Sequence, residues 1–92
     1  SSENVRLLLR RHLLRLQESL KINDYALDIT KLTETLDSHS EDIEKRCFRN
    51  VIQAVGLYEK IGGIEKTEPS FNGIRKQLEE ALSSALEVCG CE

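Results

Sequence analysis

Methionine and tryptophan do not occur in this chain of 92 residues, and two Tyr and two Phe are its whole aromatic content. Four rings are too few for a stacking platform for nucleic-acid bases, and none lies in residues 1–21 to seat that segment in a lipid interface. The missing initiator leads us to expect one domain, residues 1–92, cut from a longer protein. No apolar run approaches the roughly 18 residues of a membrane span, and no signal-peptide pattern is visible, so a soluble piece is expected. Cysteine is scarce: the three residues Cys47, Cys89 and Cys91 are an odd count, unlike the framework of a small secreted domain. On that ground we expect free thiols and an intracellular location, cytoplasmic or nuclear. Period-two alternation is absent too, which removes a sheet.

What is present is helical periodicity. Val5, Leu9, Leu13, Leu16 and Leu20 recur every three or four residues and fall on one face of a helix. Tyr25, Ile29, Leu32 and Leu36 do the same after an Asn23 or Asp24 cap. Ser38 followed by Glu41 reads as a capping box opening a third helix, with Ile43, Cys47, Val51, Ala54, Tyr58 and Ile61 as its stripe and Phe48, Ile52 and Val55 widening it. Gly62-Gly63 reads as a left-handed stop, and Pro69 can start but not continue a helix. Phe71, Ile74, Leu78, Leu82, Ala85 and Cys89 form the fourth stripe, closed by Gly90. The pattern predicts an all-α, small antiparallel four-helix bundle with helices at about 3–21, 24–37, 41–61 and 70–89.

Chemistry finds little purchase. Asp37, Ser38 and His39 are adjacent in a turn, whereas a catalytic relay must meet across a fold. Neither C-x-x-C nor H-x-x-x-H occurs, and Cys89-Gly90-Cys91 is too tight for two ligands of a tetrahedral zinc site. That pair could exchange disulfides, but nothing nearby would activate a thiol; Cys89 is expected to close the apolar face of its helix and Cys47 to pack in the core. Gly62-Gly63 lacks phosphate-loop spacing. No enzyme, metal or cofactor is expected.

Two short stretches resemble known helical modules. Ser19-Leu20-Lys21-Ile22 with Leu27-Asp28-Ile29 resembles the first helix-turn of the integrase-binding domain of chromatin-tethering growth factors, over about thirty residues. Leu36-Asp37-Ser38, Arg46, Val51-Ile52-Gln53 and Glu59-Lys60 are similar to the last helix of Hsp70-binding BAG domains, which have a longer linker and lack a fourth helix. Neither likeness assigns a functional residue.

The first helix carries more than a core stripe. Leu7 and Leu14 lie on its far side beside Arg10 and Arg11, with Arg6 and Arg15 adding to the positive charge. The segment from Asp24 to Glu44 is acidic, and internal pairing with the arginines is expected. The leucines remain to be covered. We therefore expect a non-catalytic protein-interaction or oligomerisation module that binds another protein, or a second copy of itself as a homodimer, through Leu7, Leu14, Arg10, Arg11 and Leu27. The alternative is nucleic acid or anionic membrane on the arginine face, disfavoured by the net charge of −3 and the shortage of rings.

Overall fold

The computed structural model describes residues 2–22 and 29–90, with side chains from residue 3 onward. Among them the chain is all-α, with helices α1 (Ser2–Lys21), α2 (Thr30–Ser38), α3 (Lys45–Gly62) and α4 (Phe71–Cys89) and no strand. No helix of the described residues is long and apolar enough to cross a membrane.

The stripes pack as their periodicity dictates. Val5, Leu9, Leu13, Leu16 and Leu20 of α1 are all buried, as are Leu78, Leu82 and Ala85 of α4 and Val51, Ala54 and Tyr58 of α3. α4 packs against both α1 and α3, with α3–α4 the larger pairing, and α2 lies against α1. Polar contacts fix the directions. Arg6 of α1 pairs with Glu44 at the head of α3, and Ser19 bonds Tyr58 near the far ends of both helices, so α1 and α3 run parallel. The guanidinium of Arg75, early in α4, donates to the Leu20 carbonyl at 3.1 Å, filling one of the orphan acceptors at the end of α1. α4 is therefore antiparallel to α1. α1 and α3 thus run one way and α4 the other, with α2 carrying the chain from the end of α1 back to the head of α3.

The Ser19–Tyr58 bond, 3.0 Å long between side chains 4% and 3% exposed, is the polar rivet of this core. Tyr58→Phe keeps the ring and deletes the bond. A loss of about 1 kcal/mol is expected in urea denaturation, and an unchanged midpoint would show that the hydroxyl contributes nothing.

Four expectations need correction. Cys47 and Cys89 are not free thiols: they form a disulfide that ties the start of α3 to the end of α4. Stripe periodicity puts both residues on inward faces, but the antiparallel register that makes those faces meet at one level is a tertiary fact. The third helix starts at Lys45 rather than at 41, and no Ser38 capping box forms; Ser38 ends α2, Glu44 takes the N-cap without a side-chain cap bond, and the His39 carbonyl accepts from the Asp42 amide at 2.9 Å. Gly63 is not left-handed. Its φ is −93°, and its amide donates to the Lys60 carbonyl at 3.2 Å, a tightened last turn, while Ile64 still packs on the core. Ile52, assigned to the widened stripe of α3, is 47% exposed.

In the second helix, residues 24–28 of the expected range, Leu27 among them, lie outside the described residues, and Ile29 is a non-helical N-cap. Within α2, Thr33 and Thr35 return their hydroxyls to the carbonyls of Ile29 and Lys31, at 3.2 and 2.8 Å.

Candidate functional site: the outer face of α1

α1 keeps its helix through residues 6–15, RLLLRRHLLR, because Leu and Arg are both strong helix formers. With five apolar side chains turned inward, the opposite face is fixed by geometry. Leu7 and Leu14 lie on it 48% and 43% exposed, while Leu13, next in the chain, is fully buried. Seven residues, nearly two turns, separate the exposed pair by about 10 Å along the axis. At about 100° per residue Arg10 falls on one side of their line, toward α4, and Arg11 and Arg15 on the other, toward α2. Leu8 is half-buried.

Beside Leu14 the surface dips into an open cleft of about 500 Å³ between α1 and α4, lined by Arg10, Leu14, Leu86, Glu87 and Gly90. Gly90 shapes its floor for a steric reason, not a conformational one. Its φ and ψ of −67° and 139° suit any residue, but a Cβ there would sit 2.5 Å from the Leu86 carbonyl oxygen. The same atom would be 3.5 Å from Nη1 of Arg10, which places that guanidinium at the carbonyl end of α4, where the helix dipole favours a cation.

Internal pairing of the arginines is only partly realised. Arg6 reaches Glu44. Among the described residues no carboxylate pairs with Arg10, Arg11 or Arg15. Glu18, farther along the same face, pairs with Lys21 at 3.7 Å.

Half-buried His12 sits on the flank of α1 that meets α2. Burial, then the charges of Arg15, Arg11 and Lys31 of α2, hold its pKa below the ordinary 6.5. A depressed imidazole pKa means the folded state binds fewer protons than the unfolded chain. Its stabilising effect is complete above pH 6.5 and is lost as pH falls from there through the folded-state value. Thermal melts of wild type and His12→Gln should therefore converge or diverge only below about pH 6.5, the wild type losing more on acidification. Parallel curves across that range would remove His12 from the acid response.

The sequence-predicted residues thus separate. Leu7, Leu14, Arg10 and Arg11 share one outer face of α1, whereas Leu27 lies outside the described residues. Leu86, Glu87 and Gly90 were missed because the sequence gives no sign that the last turn of α4 lies beside Arg10. No group of His, Cys, Asp or Glu suited to a metal ion occurs among the described residues. No family model matches the chain, and neither a curated protein nor a solved structure matches it.

Proposed function

We propose that the domain is a non-catalytic interaction module that binds another protein through the outer face of α1. The observation that carries this reading is the pair Leu7 and Leu14, half-exposed on one face two turns apart in a helix whose remaining apolar stripe is buried. Covering each would contribute about 1–2 kcal/mol, enough for a modest interface when combined with polar contacts at its edge. The test is a pull-down comparing wild type with Leu7→Glu plus Leu14→Glu. The variant should keep its helical circular dichroism and lose its partner; a folded variant that keeps every partner would sink the proposal. Self-association through the same face is checked by sedimentation across a concentration range.

A second reading, an anionic ligand such as nucleic acid or lipid on the arginine face, is favoured by the lack of a carboxylate on Arg10, Arg11 and Arg15 among the described residues. Salt-dependent titration against DNA and anionic vesicles tests it. The disulfide supports placing the module in an oxidising compartment rather than in the cytoplasm or nucleus.

A further inference from the structure

We infer that the partner of the α1 face is an acidic amphipathic helix, whose apolar residues cover Leu7 and Leu14 and whose carboxylates meet Arg10, Arg11 and Arg15. This rests on the α1 reading above and adds the chemistry of the occupant. Charge is the first argument. Residues 6–15 hold four Arg and no Asp, Glu or Lys. The planar guanidinium binds a carboxylate through two parallel hydrogen bonds, which an ammonium cannot do. Between Glu3 and Glu18, which close the two ends of this face, arginines lie on both sides of the leucine line, so a helix crossing those turns meets a cation at either edge.

Spacing is the second argument. Leu7 and Leu14 stand at i and i+7, the repeat by which one helix presents apolar residues to another. The cleft at Leu14 adds the side of Leu86, giving a partner side chain an apolar wall near the guanidinium of Arg10. Glu87, on the α4 side of that cleft, confines the carboxylates of the partner to the α1 side.

Extent decides between this occupant and a larger polyanion. The basic surface is narrow, α1 with exposed Lys31 of α2 at its flank. Beside it α2 and the turn after it expose Glu34, Asp37, Glu41 and Asp42. A bilayer surface or a nucleic-acid duplex broad enough to cover α1 would meet these carboxylates, whereas a helix about 10 Å across fits on α1 alone.

The test uses three synthetic peptides of about 18 residues, long enough to form helix in isolation, each with leucines seven apart and flanked by Glu, Gln or Lys. Binding to the whole protein is followed by fluorescence anisotropy at low and high salt. The Glu peptide should bind at least about tenfold more tightly than the Gln peptide, an advantage that salt erodes. Arg11→Glu plus Arg15→Glu, exposed positions clear of the α4 end, should transfer the preference to the Lys peptide. Equal binding of the Glu and Gln peptides would overturn the acidic partner while leaving the α1 interface standing. Failure of all three peptides would also overturn it, as would binding of phosphatidylserine vesicles or duplex DNA in preference to the Glu peptide. A dimer that buries Leu7 and Leu14 would assign the face to a second copy instead.

Discussion

Replacing Cys47 and Cys89 together by alanine should lower stability by about 4 kcal/mol. Their disulfide closes a loop with a sequence separation of 42, and the chain entropy such a link removes from the unfolded state corresponds to about 4 kcal/mol at room temperature. For a domain of this size that is a large share of the usual 5–15 kcal/mol, equivalent to roughly 15–30 °C in melting temperature. Both side chains are fully buried, so the alanine pair also loses packing, which acts in the same direction. Urea denaturation of the two proteins measures the difference, and intact mass before and after reduction reports the bond through its two hydrogens. A difference below about 1 kcal/mol would mean that the link restrains little in the unfolded chain.

Leu13→Ala and Leu14→Ala should have opposite consequences although they are neighbours. Leu13 is fully buried in α1, and truncating it removes transfer energy and leaves a void, at a cost of about 3–5 kcal/mol. Leu14 is 43% exposed, and alanine is the better helix former, so its truncation should change stability by no more than about 0.5 kcal/mol. The functional readout inverts. Leu14→Ala should weaken partner capture in a protein that melts like wild type. Two variants with equal losses of stability would show that α1 is rotated from the orientation described, and the outer face would lose its basis.

Stripe positions were legible because helical periodicity is local: every α1 residue assigned to the core is buried. Helix ends were less so. Ser38-x-x-Glu41 has the spacing of a capping box, but tertiary packing carries α2 on to Ser38 and delays α3 to Lys45, where Glu44 is drawn to Arg6 of another helix. The disulfide was illegible for a related reason. Composition alone argued for thiols, and only the antiparallel packing of α3 and α4 brings residues separated by 42 positions to a Cα–Cα distance of 5.0 Å. Of the predicted site, the leucine–arginine face followed from the sequence, whereas its α4 border depended on which helix became the neighbour of α1.

The covalent link lies wholly within α3 and α4, while the exposed leucines and arginines lie on α1. Tension or heat that peels α1 away from the hairpin therefore meets no covalent resistance; it breaks van der Waals contact, the Arg6–Glu44 pair, the Ser19–Tyr58 bond and the Arg75 cap. Amide exchange should divide along that line, with α1 opening at a smaller free energy than the cross-linked pair. The surface offered for recognition is carried by the half of the fold that can detach while the other half stays closed.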